Sequence, residues 1–216
     1  MASNQLTPEC ALLSRFWGKQ KFKWMQNVQV FCLANREGLF ASVVNINHIT
    51  TLLLVHVQVS WADFIAVAGA EAVLVCGGPK IPVQLGRVDA KVPDPEGKLP
   101  EESLDATAMK QCFQRKGFSA QELVALSGAH TLGSKGFGNP TVFDNSYFKI
   151  LLEKPWSSSG GMSSMIGLPS DRALVEDDEC IRWISKYADD QNLFFEDFKN
   201  VYIKLVNTGA EWTRPV

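Results

Sequence analysis

One histidine stands at the end of a mostly apolar run, Glu122-Leu-Val-Ala-Leu-Ser-Gly-Ala-His130-Thr-Leu-Gly133. Leu123, Leu126 and His130 fall at i, i+3 and i+7, so on a helix the imidazole points where the leucines point. Such a residue suits two chemistries. A neutral imidazole aimed from a fixed helix end into an apolar pocket can hold an iron on one side of a haem. A histidine at a helix end can equally be structural, satisfying a carbonyl or the negative end of the helix dipole. The residues alone leave both readings open.

The elements that must position His130 are marked by dense helix punctuation from Ser60 onward. Ser60-Trp-Ala-Asp63 reads as a capping box that opens a helix over 62–75, stopped by Gly77-Gly78-Pro79. Pro82, Pro93, Pro95 and Pro100, with Gly86, Asp89, Asp94 and Gly97 between them, make 82–100 a long surface connection. Ser103 starts a helix that ends at Gly117. Ser119-Ala-Gln-Glu122 is a second capping box, and it opens the helix that carries His130. Asp144 caps 145–152, and Asp177 or Asp178 caps a helix running to about Ala188. Ser170-Asp171 precede Ala173-Leu174-Val175, so Asp171 reads as a cap too. Phe194, Phe198, Val201 and Leu205 repeat at i, i+4, i+7 and i+11, which makes 193–206 an amphipathic helix ended near Gly209. No strand alternation of comparable length competes, and the class is all-α.

Composition excludes several functions. The chain has 216 residues, 46% hydrophobic and 20% charged, enough to bury a real core. A net charge of −2 argues against nucleic acid or an acidic membrane surface as partner. Cys10, Cys32, Cys76, Cys112 and Cys180 are widely spaced with no C-x-x-C pair, a reduced, intracellular pattern in which each serves as a small buried hydrophobe. No G-x-G-x-x-G follows a strand-like segment, which sets a dinucleotide-binding dehydrogenase aside.

Residues 1–59 form a separate, atypical N-terminal segment. Residues 10–36 carry Arg15, Lys19, Lys21, Lys23 and Arg36 against no acidic residue, a weak likeness to an organellar targeting region. Residues 38–62 hold no charged side chain, a length that raises a membrane span. Asn45, Asn47, His48, Thr50, Thr51, His56 and Gln58 are costly in hydrocarbon, so no stable span is expected.

Successive blocks from Ser60 onward resemble class I haem peroxidases of the ascorbate peroxidase kind. They are Ser60-Trp-Ala-Asp-Phe, Gly77-Gly-Pro-Lys-Ile-Pro82, Gly86-Arg-Val-Asp89, Pro95-Glu-Gly-Lys-Leu-Pro100, the His130 run, Phe143-Asp-Asn-Ser-Tyr-Phe148 and Leu168-Pro-Ser-Asp171. They keep the family's order across about 60–212. Lys135-Gly-Phe-Gly-Asn-Pro140, followed by Trp156 and a Ser-rich loop, is most similar to the plant ascorbate peroxidase-related branch. The resemblance implies a haem-peroxidase fold for 60–216, mainly its proximal lobe, with haem b as cofactor. It implies reduction of hydrogen peroxide by a small electron donor, ascorbate-like or phenolic, in oxidative-stress response, and a chloroplast location.

Carried over residue by residue, His130 matches the proximal ligand of the haem iron and Asp171 the carboxylate that accepts its Nδ1–H. That carboxylate gives the imidazole imidazolate character and lowers the iron's reduction potential. Thr131, Asn139 and Asp144 match positions that hold a cation in some relatives, and their hard oxygens suit potassium or calcium. The segment joining Thr131 to Asn139 is shorter than in ascorbate peroxidases, however, and capping and turn roles account for all three. Phe137 is the nearest aromatic where relatives stack a tryptophan beneath the histidine, which makes it a candidate pocket wall. Lys135 is the nearest counterpart of a basic residue that helps hold ascorbate.

The distal side departs from the family, which places an arginine four residues before a histidine to split peroxide. Here Val44 precedes His48 and Leu52 precedes His56 at that spacing. The expectation is a proximal lobe retained with an incomplete distal lobe, through a transcript or gene model that skips the distal segment, and a poor catalyst. The alternative is a non-catalytic haem-binding or interaction protein.

Overall fold

The computed structural model describes residues 59–92, 95, 98–157 and 166–213. The expectations placed on residues 1–58, including His48, His56, Cys10 and Cys32, lie outside the described residues. So does most of the Ser-rich loop after Trp156.

The described chain is helical: α1 Trp61–Val75, α2 Ala106–Gln114, α3 Ala120–Ser127, α4 Ser146–Glu153, α5 Pro169–Leu174, α6 Asp178–Asp189 and α7 Gln191–Asn207, with 3₁₀ turns at Gly128–Thr131 and Pro155–Ser157. Among the described residues the only β-type pairing is an isolated antiparallel bridge between Arg87 and Trp212. The caps explain most boundaries. Asp105 accepts from the Ala108 amide at 2.8 Å, so α2 opens there rather than at Ser103. Asp177 accepts from the amides of Glu179 and Cys180 at 3.1 and 3.0 Å and starts α6. Asp190 does the same for α7 through Asn192 and Leu193. The Ser119–Glu122 box is complete, with reciprocal bonds of 3.2 and 2.8 Å.

Two caps differ from the sequence reading for a physical reason. Ser60 accepts from the Asp63 amide, but the Asp63 carboxylate does not return to Ser60. It is buried and takes the Gly86 amide at 2.6 Å and the Arg87 guanidinium at 2.9 Å. Asp89 instead reaches the free amides of Trp61 and Ala62 at 3.0 and 2.8 Å. Arg87 also donates to the Val206 carbonyl and the Asn207 side chain, tying the 82–92 connection to both α1 and the end of α7. The other is Asp171, which sits in the first turn of α5 behind Pro169 and caps from there, its Oδ2 accepting the amide of the N-cap residue Leu168 at 2.8 Å. Proline suits that first position because its missing N–H has no helical partner to lose.

Helix α3 lies at the centre, packed against α2, α6 and α7, and α4 lies along α6. Val124 and Ala125 have no exposed surface. Around them Phe143, Phe148, Phe194 and Phe198 are almost fully buried, with Phe143 stacked on Phe194 at 5.4 Å. Each such ring removes enough apolar surface from water to stabilise the fold by about 2–3 kcal/mol. Cys76, Cys112 and Cys180 are buried within this packing.

Candidate functional site

Helix α3 tightens at its end into the 3₁₀ turn that carries His130, and Gly128 makes that seat possible. A side chain there would meet the rings of Phe194 at 2.6 Å and Phe148 at 2.7 Å, so the turn rests directly on the aromatic core. Leu123, Leu126 and His130 line one cleft, as their spacing implies. Helix α2 contributes Met109 and Phe113 to it, α5 contributes Ser170 and Leu174, and Glu101 and Glu102 lie at its edge. The cleft holds about 90 Å³. A pocket that encloses a small organic ligand measures roughly 300–1,000 Å³, so the described residues form one wall rather than a closed chamber.

Within that wall, His130 Nδ1 lies 2.7 Å from Asp171 Oδ1. The same oxygen accepts the Tyr147 hydroxyl at 2.9 Å, and Oδ2 accepts the Leu168 amide at 2.8 Å. The Asp171 side chain is 2% exposed and the His130 side chain 22%. Burial pushes the Asp171 carboxyl up, but the His130 charge and these hydrogen bonds outweigh it and hold Asp171 below its usual range. Burial likewise pushes His130 down, yet the Asp171 charge and bond leave it above its usual value. Tyr147 is raised well above the phenolic range by burial and by Asp171, so it is a neutral donor.

An ionised carboxylate only accepts, so His130 must carry its proton on Nδ1. In the neutral imidazole this leaves the Nε2 lone pair free, and Nε2 has no hydrogen-bond partner among the described residues. No group of three or more His, Cys, Asp or Glu side chains among the described residues could hold a metal by itself. A single imidazole, fixed by a buried carboxylate and set in an apolar wall, instead fits a metal whose remaining ligands arrive with it, as in haem. The donor set and the lining both suit that group.

The other sequence candidates fall elsewhere. Phe137 is fully buried and packs edge-on against Tyr147 at 4.6 Å, one ring behind the site. The cleft lining includes neither Phe137 nor Tyr147, and Tyr147 lies between Phe137 and the imidazole, with its ring 6.1 Å from that of His130. Thr131 donates to Asp144 at 2.9 Å, while Asn139 accepts from the amide and hydroxyl of Thr141, both at 3.0 Å. Asp144 also accepts the Ser146 amide at the start of α4. These are turn and capping bonds, and they do not draw Asn139 together with the other two. Lys135 lies close enough to disfavour a charged His130.

Sequence reasoning missed Tyr147. Its signal was present: Tyr147 and Leu151 share the buried side of α4, and a buried phenol must find a hydrogen-bond partner.

A profile of the family described as Peroxidase matches residues 34–190. The chain belongs to the peroxidase family. The match starts ahead of Ser60, within residues that are not described. Among similar proteins, the Arabidopsis thaliana protein named "Putative L-ascorbate peroxidase 6" is 72% identical over 154 residues, covering 71% of this chain and 47% of that protein. L-ascorbate peroxidase 1, cytosolic, of Oryza sativa subsp. indica is 43% identical over 162 residues, covering 70% of this chain and 62% of its own. A Cryptococcus neoformans protein named "Putative heme-binding peroxidase" is 41% identical over 171 residues, covering 71% and 52%. The chain is thus a class I, ascorbate peroxidase-like member, and it spans about half to three-fifths of the length of these relatives. No helix among the described residues is long and apolar enough to cross a membrane.

Proposed function

We propose that this chain binds haem b through His130 and acts in the reduction of hydrogen peroxide by a small electron donor. The observation that carries the reading is the His130–Asp171 pair, with Nδ1 held at 2.7 Å and Nε2 without a hydrogen-bond partner among the described residues, in a largely apolar wall. His130 would hold the haem iron through Nε2. Asp171 fixes the ring's tautomer and orientation and raises the basicity of Nε2. Leu123, Leu126, Met109 and Leu174 give that face an apolar lining. Haem, when bound, supplies the redox chemistry on peroxide. Ascorbate is the donor in the names of two relatives, and it is the first donor to try. A cytosolic relative favours an intracellular place.

The proposed activity is weak. A distal acid–base group contributes about 10²–10⁴-fold to such a reaction, and neither His48 nor His56 has an arginine four residues before it. That same observation favours a second reading, a non-catalytic haem-binding or interaction protein. Stopped-flow mixing of the haemin-reconstituted chain with hydrogen peroxide separates them. Peroxide consumption about 10²–10⁴-fold slower than in a full-length relative supports the first reading. A bound haem with no consumption above free haemin supports the second. Consumption at the relative's own rate refutes the expected weakness.

A further inference from the structure

Asp171 Oδ1 serves two donors. His130 Nδ1 lies 2.7 Å from it and the Tyr147 hydroxyl 2.9 Å, while Leu168 takes the other oxygen. The Tyr147 ring is fully buried and stands edge-on to the imidazole, at 6.1 Å between centroids and 78° between planes. It packs equally against Phe137 at 4.6 Å and Phe148 at 5.0 Å. A phenylalanine would make those ring contacts as well. A buried hydroxyl costs about 1–3 kcal/mol unless it is bonded, and Asp171 is its acceptor here.

Two donors on one carboxylate oxygen compete for its charge. The firmer the phenol's bond, the less the carboxylate draws on the imidazole proton, and the less imidazolate character reaches Nε2. We propose that Tyr147 is a positioning residue: it fixes the Asp171 carboxylate and draws charge from Oδ1, which moderates how strongly His130 donates to the haem iron. The inference rests on the proposed ligand role of His130, but the Tyr147–Asp171–His130 coupling itself is present without haem.

Tyr147→Phe removes one hydroxyl and keeps the ring. In the full chain without haemin, the His130 Nδ1–H proton resonance should move downfield, because its bond to Asp171 shortens. In the haemin-reconstituted chain, the ferrous iron–histidine stretch should rise in frequency by resonance Raman. The Fe(III)/Fe(II) midpoint should fall by about 59 mV for one electron, a rise of about tenfold in the oxidised-to-reduced ratio at a given potential, since one net hydrogen bond of ~1.4 kcal/mol is redistributed. A fluorotyrosine at position 147, a stronger donor with the same packing, should shift each readout the opposite way and covers the case where the phenylalanine variant fails to fold. A proton resonance, stretch and midpoint that all stay at their wild-type values would overturn the proposal and leave Tyr147 a packing residue. A wild-type chain with no iron–histidine band, together with a responsive proton resonance, would instead overturn the ligand role of His130.

Discussion

Asp171→Asn is nearly isosteric, yet it should unfold the local network. The carboxylate satisfies three donors at 2.7, 2.9 and 2.8 Å while 1% exposed. A carboxamide has one acceptor oxygen and one NH₂, so one side must fail. With its oxygen toward His130 and Tyr147, its NH₂ faces the Leu168 amide, and two buried donors meet. With the groups reversed, Tyr147 loses its acceptor, and His130 must accept at Nδ1 and move its proton to Nε2. Each buried donor left unpaired costs about 1–3 kcal/mol, and the surviving bonds lose their charge assistance. The total is about 3 kcal/mol in either orientation. At about 2–4 °C per kcal/mol for a chain of this size, the melting temperature should drop by about 6–12 °C. Urea unfolding of the haem-free chain measures the loss, and haemin titration tells the orientations apart, because only the second also blocks Nε2. A stability within ~0.5 kcal/mol of wild type would refute the reasoning, since surface substitutions stay in that range.

Other consequences follow from the packing and the charges. Gly128→Ala would drive a methyl to within 2.6–2.7 Å of two ring atoms in the aromatic core, so it should cost at least about 2 kcal/mol and weaken haemin binding by displacing the His130 turn, both measurable by urea unfolding and Soret titration. Burial pushes the Asp177 carboxyl up, but hydrogen bonds from Lys110 and the Cys180 amide hold it at about 2. Its folded pKa is below the unfolded value, so this stability is present above about pH 4 and is lost as pH falls toward 2; with solvent screening the loss is about 1 kcal/mol, and Asp177→Asn should flatten that part of the stability–pH curve.

Much of the fold could be read from local chemistry. The Ser119–Glu122 box, the Asp177 cap and the Phe194–Phe198–Val201 stripe are each decided by neighbours in sequence, and each appears in the structure. What was illegible is long-range. Asp63 looks like half of a capping box, but its carboxylate belongs to Arg87, and Asp89 caps α1 from across the chain. The site divides the same way. The shared side of Leu123, Leu126 and His130 follows from helical spacing. The pairing with Asp171 came through resemblance alone, because no local rule joins residues 41 positions apart. Tyr147 escaped for the same reason: its partner is 24 positions away. Pattern likewise cannot tell that Tyr147 makes the ring contact with the imidazole while Phe137 packs on Tyr147.

The central claim is that His130 Nε2 is the protein's bond to the haem iron. Resonance Raman of the ferrous haemin-reconstituted chain tests it most directly, with His130→Gly and His130→Gly plus free imidazole beside the wild type. The account predicts an iron–histidine band in the wild type, its loss in His130→Gly, and its return with imidazole in the cavity. The same band in His130→Gly without imidazole, or no band in a wild-type chain that binds haem, would contradict it.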